Sequence, residues 1–190
     1  MPILSNSLVT RVLTPEERAA AGLRSTVFVT DTRTLRYYYR MLPDGRMQIG
    51  SRSAITGADA PNPRHMQMLI DGLHRKFPTL RGVEIAHSWW GWVDVSHDMM
   101  PRIARPDPAQ TIYYALGYGG NGVAFSAHAG RRLAQRMAGQ ADSSLQLPIY
   151  AAPLEYPNVF NRVRSPVFAP FRRLGQRALY HWYHLRDERL

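Results

Sequence analysis

With 190 residues, 45% of them hydrophobic and 20% charged, the chain is long enough for one full domain or parts of two, and its composition is that of a folded globule rather than a disordered segment. The absence of cysteine excludes disulfides, thiolate metal sites, thiol nucleophiles and cysteine-linked cofactors. The formal charge of +10 is spread in near proportion to length, 17 basic against 10 acidic residues over 1–140 and seven against four over 141–190, with no basic run or reader motif, which argues against a nucleic-acid partner.

Met1-Pro2-Ile3-Leu4-Ser5-Asn6 carries neither a basic leader nor an apolar core of signal length, and no later run is long enough for a transmembrane segment, so a cytoplasmic location is expected. Residues 7–13 read as an opening strand. Thr14-Pro15-Glu16-Glu17 supplies an N-cap, a proline at the first helical position and a capping-box glutamate for a short helix ending at Gly22. Residues 27–30 form a second short strand. Residues 35–42 and 47–50 flank Pro43-Asp44-Gly45-Arg46, whose Asp-Gly pair signals a tight turn; an antiparallel hairpin follows, with Tyr37, Tyr39 and Met41 on one face. Residues 62–77 form an amphipathic helix, with Met66, Leu69, Ile70, Leu73 and Phe77 at helical spacing and Pro78 as its stop.

Residues 83–95 return to strand. Alternation puts Trp89, Gly91 and Val93 on one side and Trp90, Trp92 and Asp94 on the other, so the three tryptophans call for walls on both faces. A loop holding Pro101, Pro106 and Pro108 precedes a strand over 111–116, a glycine turn, and a helix over 123–138 with Gly139 as its C-cap. Residues 147–170 hold five prolines and little periodicity. The last segment sets Phe171, Leu174, Ala178, Leu179, Trp182 and Leu185 on one helical face, which predicts a terminal helix packed through that face. Hairpin strands alternating with two main helices give an α+β fold class with an antiparallel or mixed sheet.

The turn Gly117-Tyr118-Gly119-Gly120-Asn121-Gly122 reads as GxGxxG, and Asp142 lies where a dinucleotide fold keeps its ribose-binding acid. A Rossmann unit also needs a second parallel strand after the helix. Here the helix runs into residues 139–144 and proline-punctuated sequence, so no βαβ unit closes. The turn opens an isolated strand-to-helix unit whose backbone amides suit an anionic group.

Three segments, in their order and spacing, resemble the C-terminal half of FAD-dependent oxidoreductases of the D-amino-acid oxidase type, particularly the gamma-glutamylputrescine oxidoreductase-like members. They are residues 36–50 (RYYYRMLPDGRMQIG), 89–103 (WWGWVDVSHDMMPRI) and 112–134 (IYYALGYGGNGVAFSAHAGRRLA). The resemblance runs from residue 1 to about 140 and is looser beyond. It implies a substrate domain over 1–100, a strand and helix over 101–140 that return to the FAD-binding α/β domain, and a proline-rich extension with a terminal helix over 141–190. On this reading the chain is half of an enzyme whose cofactor is FAD, and either a separate N-terminal FAD-binding half is its partner or the gene is truncated.

By the same resemblance Gly119, Gly120, Asn121, Gly122 and Val123 match the turn at the flavin ring, where amides at a helix N-terminus would stabilise the charge of the reduced ring. Glycine is required there because a Cβ would hold the backbone away. A ligand-free glycine turn is the alternative. Tyr37, Tyr39, Trp90 and Trp92 resemble the aromatic lining of the substrate pocket, with core packing as the alternative for each. Asp98 is a cation partner or a turn former. Amino-acid-oxidising members tend to place an arginine for the substrate carboxylate where this chain has Val93, which leans the reading toward an amine or a substrate with a distant carboxylate. Ala104 stands where the family often has glycine.

Catalytic residues stay unassigned: His97 and His128 have no sequence-visible partner. His181 and His184 lack a third ligand and read as a solvated pair, so no metal site is assigned. The expected function is hydride transfer from the C–N bond of an amine or amino acid to flavin, with this chain providing the substrate domain and the flavin-ring turn. The alternative is a noncatalytic binding or subunit module that folds without FAD. A third reading lays Arg172, Arg173, Arg177 and Arg186, around Trp182 and Tyr183, on an anionic membrane surface; it ranks below packing of that helix on the body of the fold.

Overall fold

The computed structural model describes residues 2–23, 27–96, 100–105, 107–140 and 169–187. The chain divides into two compact units, Leu4–Trp92 with Ala169–Leu190, and Met1–Ile3 with Val93–Phe168. Helices and antiparallel strands make the described residues α+β.

The first unit is built on a sheet of β1 (Pro2–Val12), β2 (Phe28–Thr30), β3 (Tyr38–Met41), β4 (Arg46–Ser51) and β5 (Ile85–Asp94), in the order β2-β3-β4-β1-β5; the start of β1, to Ile3, and the end of β5, from Val93, are counted in the second unit. The hairpin forms where its turn chemistry predicts: β3 and β4 are antiparallel, Tyr39 opposite Ile49 and Met41 opposite Met47. Gly45 sits at φ 85° and its amide donates to the Leu42 carbonyl at 2.9 Å, a conformation that favours glycine.

β1 starts at Pro2 rather than at residue 7, because Ser5, Asn6 and Ser7 interrupt the apolar pattern yet find partners inside the fold. The buried Asn6 side chain donates to the Ala60 carbonyl at 3.1 Å and accepts from Ser53 Oγ at 3.0 Å. Between Val9 and Val12 the register with β4 shifts, and Thr10 Oγ1 accepts the Met47 amide at 3.0 Å there. The helix α1 (Pro15–Ala21) carries the expected capping box: the Glu17 amide donates to Thr14 Oγ1 at 3.2 Å and the Thr14 amide to Glu17 Oε2 at 2.8 Å.

The helix α2 (Pro63–Lys76) covers one sheet face, and Leu8, Tyr37, Met41, Met47, Ile49, Leu69, Leu73 and Phe77 form the core between them. Its inward face is largely the expected one, with Leu69, Leu73 and Phe77 buried and Ile70 packed against the core; Met66 is exposed, and His65 and Gly72 are buried as well. Two tertiary contacts account for the added positions. The Tyr37 ring lies so close to Gly72 that an added Cβ would come within 2.6 Å of it, and Asp59 accepts or pairs with His65 Nε2 at 3.1 Å.

In the second unit β6 (Arg102–Ala104) and β7 (Tyr114–Leu116) pair antiparallel with Ile103 opposite Ala115. The helix α3 (Gly122–Met137) buries Ala129 against Ile103, with Tyr118, Phe125 and Leu133 around them. Arg136 Nη1 donates to the Ile103 carbonyl at 2.8 Å. β6 was unexpected because it lies between Pro101 and Pro106, in a stretch that reads as loop.

The last helix, α4 (Ala169–Asp187), belongs to the first unit but does not pack through its apolar stripe. Buried Asp187 accepts the amides of Thr34 at 3.1 Å and Leu35 at 3.0 Å, and Arg186 hydrogen-bonds Thr34 Oγ1. Phe171, Leu174, Leu179, Trp182 and Leu185 are exposed, which corrects the expected orientation. The local reason is that two backbone donors at 34–35 need an acceptor, and the stripe has none.

Candidate functional site

The glycine turn is shaped by the strand that precedes it by some twenty residues in sequence. Asp94, the last residue of β5, accepts the Gly117 amide on Oδ2 at 2.7 Å and the Gly119 amide on its main-chain carbonyl at 2.9 Å. Val95 then bridges antiparallel to Tyr118. Gly117, Gly119 and Gly120 hold φ of 79°, 61° and 96°, so glycine is required here by backbone conformation. The turn closes with the Asn121 amide on the Tyr118 carbonyl at 3.0 Å.

Chain direction then places the start of α3 at Gly122. Asn121 makes no side-chain cap and no acidic residue stands in the first turn, so the amides of Gly122, Val123 and Ala124 keep the unpaired donors of a helix N-terminus. Val123 is 99% exposed, and an added Cβ on Gly120 meets nothing within 4 Å. Exposed amides, an uncompensated positive dipole end and open space beside the backbone suit a planar group with an anionic or carbonyl edge, such as the flavin ring. The five residues Gly119, Gly120, Asn121, Gly122 and Val123 thus form one contiguous element whose chemistry fits FAD.

The aromatic candidates lie in the other unit and divide by environment. Tyr37 is 2% exposed; its hydroxyl donates to the Met68 carbonyl at 3.3 Å and accepts from Arg75 Nη2 at 3.2 Å. Tyr39 is half-buried, edge-on to Phe77 at 5.3 Å. Lys76 Nζ stands 5.4 Å from the Tyr37 ring centroid and 5.3 Å from that of Tyr39, and pairs with Asp31 at 2.7 Å. The sole lysine is thereby part of the packing. Trp89, Trp90 and Trp92 are 46%, 40% and 54% exposed, so among the described residues the expected walls cover them only in part; β5 is an edge strand of its sheet. Trp90 lines a shallow cleft of about 200 Å³ with Trp89, Ser88, Asn6, Ser7 and Met66. Trp92 lies beside Gly57. Asp98 falls outside the described residues.

Two residues that sequence reasoning passed over enter here. Asp94 anchors the turn, and its only sequence signal was an acid ending a strand. Tyr38 alternates to the face opposite Tyr37 and Tyr39; its hydroxyl lies 2.8 Å from both Ser5 Oγ and Ser7 Oγ, and its ring occupies the space over Gly50. Among the described residues no group of three or more His, Asp or Glu is placed to hold a metal ion.

The DAO family, described as FAD dependent oxidoreductase, matches residues 1–136. The chain is 33% identical over 151 residues to gamma-glutamylputrescine oxidoreductase of Escherichia coli (strain K12), covering 76% of this chain and 34% of that protein. It is 30% identical over 191 residues to the probable oxidoreductase OrdL of Rhizobium meliloti (strain 1021), covering 98% and 40%. Glycine oxidase from Geobacillus kaustophilus shares the fold over 82% of this chain and 40% of its own, with a TM-score of 0.66 and 17% identity. The chain therefore spans 34% to 40% of the length of these relatives.

Proposed function

The chain belongs to the DAO family of FAD-dependent oxidoreductases, and we propose that it contributes the substrate domain and the flavin-ring turn of an enzyme oxidising the C–N bond of an amine or amino acid. The observation that carries this reading is the uncapped, acid-free start of α3 behind a turn clamped by Asp94. FAD, when bound, would supply the two-electron acceptor for the hydride leaving the substrate carbon. Gly119, Gly120, Asn121, Gly122 and Val123 would hold its ring by backbone amides, and the α3 dipole would favour negative charge there. Sequence beyond these 190 residues, in the same or a separate polypeptide, would supply the other cofactor contacts.

On the substrate side, Tyr39, Trp90 and Trp92 retain surface for an apolar or aromatic contact that excludes water from a neutral amine. Tyr37, buried and sharing the Lys76 contact with Tyr39, would support that residue from the core, and Asp98 would pair with a substrate cation. Val93 offers no bidentate partner for a carboxylate, which favours an amine or a substrate whose carboxylate lies far from the reacting carbon. The oxidoreductase role is the one that the gamma-glutamylputrescine oxidoreductase relative carries by name, taken over to this chain as a proposal.

The test is the visible spectrum of the purified chain after incubation with FAD and desalting, beside Gly122→Leu, whose side chain would start 3.3 Å from the Tyr118 ring. Flavin bands retained by the wild type and lost in the variant are expected. A colourless wild type supplied with the family's N-terminal half would contradict the assignment.

A further inference from the structure

We propose that α4 is an interfacial helix that seats this chain on an anionic lipid surface. The helix has two opposed faces with opposite uses. Tyr180, Tyr183 and His184 are half-buried and Asp187 is buried, and these positions share the side that docks on residues 34–35 through the two amide bonds to Asp187. At 100° per residue, Phe171, Leu174, Ala178, Trp182 and Leu185 fall on the other side, where Leu174 is 64% and Trp182 53% exposed. A helix held by its polar side presents its apolar stripe outward, the reverse of ordinary packing.

Charge decides what covers that stripe. The one acid among residues 169–187 is Asp187, and it is buried and engaged by the Thr34 and Leu35 amides. Among the described residues, the helix therefore shows no carboxylate to solvent, and the charged side chains it exposes are arginines. Arg177 and Arg186 flank the stripe, with the Arg186 guanidinium 5.0 Å from the Trp182 ring centroid and 5.6 Å from that of Tyr183. Cationic flanks that keep their heads in water beside a stripe of Phe, Leu and Trp match the headgroup and acyl layers of an anionic bilayer together. A helix of 19 residues lies about 28 Å along such a surface. Among the described residues no helix is long and apolar enough to cross a membrane.

The full chain is tested by flotation with vesicles of phosphatidylglycerol and phosphatidylcholine, and with vesicles of phosphatidylcholine alone. The wild type is expected to float with the anionic vesicles at least tenfold better than with the neutral ones, and to be released by high salt. Leu174→Gln with Trp182→Gln should reduce flotation about tenfold and leave the melting temperature unchanged, because both side chains already face solvent. Trp182→Phe should remove the blue shift of tryptophan emission that anionic vesicles induce. A wild type that stays with the soluble fraction, a double variant that floats equally well, or a concentration-dependent dimer lost in the double variant without vesicle binding would each overturn the proposal.

Discussion

Asp94 holds Gly117 by a 2.7 Å hydrogen bond from the glycine amide to Oδ2, while its own carbonyl takes the Gly119 amide at 2.9 Å. A strand end thereby sets the geometry of a turn well downstream. The carboxylate reads the turn at one amide and the main chain reads it at another, so losing the side chain releases half of the clamp.

Asp94→Ala is expected to destabilise the second unit by about 1–3 kcal/mol, the cost of leaving a partly buried amide without its charged acceptor. Asp94→Asn keeps an acceptor oxygen and should lose less. Urea denaturation of the two variants and amide exchange at Gly117 measure this. Wild-type stability and protection in Asp94→Ala would show that the clamp contributes nothing.

Gly72 and Tyr37 form the second close approach. A Cβ at position 72 would stand 2.6 Å from the Tyr37 ring, which is itself buried, so Gly72→Ala should cost about 1–3 kcal/mol by overpacking despite the better helix propensity of alanine. Tyr37→Leu in the same chain makes room, and the double variant should be less destabilised than the sum of the singles. Strict additivity in thermal melts would contradict the contact.

The Arg11 hydrogen bond, reinforced by the Thr14 amide, holds the Glu17 carboxyl down at about 2 against an ordinary value of 4.5. A depressed folded-state value means stability that is full above about pH 4.5 and lost as pH falls through about 2. The melting-temperature advantage of wild type over Glu17→Gln should therefore be constant near neutrality and shrink across that acidic window. An advantage unchanged down to about pH 2 would remove Glu17 from the account.

What was legible in the sequence was local chemistry. The Asp44-Gly45 turn, the Thr14 to Glu17 capping box and the strand, glycine turn and helix around Gly117 to Gly122 all formed where their own residues require them. What escaped depended on distant partners. Asn6 lies before the strand as read from residue 7, and its side chain is satisfied by Ala60 and Ser53; Gly72 joins the buried face of α2 because the Tyr37 ring occupies the space over it. Asp94 lies 23 residues from the amide it binds, so no window of sequence reveals the pair. The orientation of α4 differs from the expected one because Thr34 and Leu35 offer donors that Asp187 answers.

The central claim is that the start of α3 holds the flavin ring, and a titration of FAD followed by flavin fluorescence, comparing wild type with Val123→Asp in the presence of the family's N-terminal half, tests it most directly. Val123 is almost fully exposed and an acid in a first helical turn is favourable to the helix, so the variant should melt no lower than wild type. Its negative charge beside the ring should weaken FAD by about tenfold or more. Equal affinity in the two proteins would place the cofactor elsewhere.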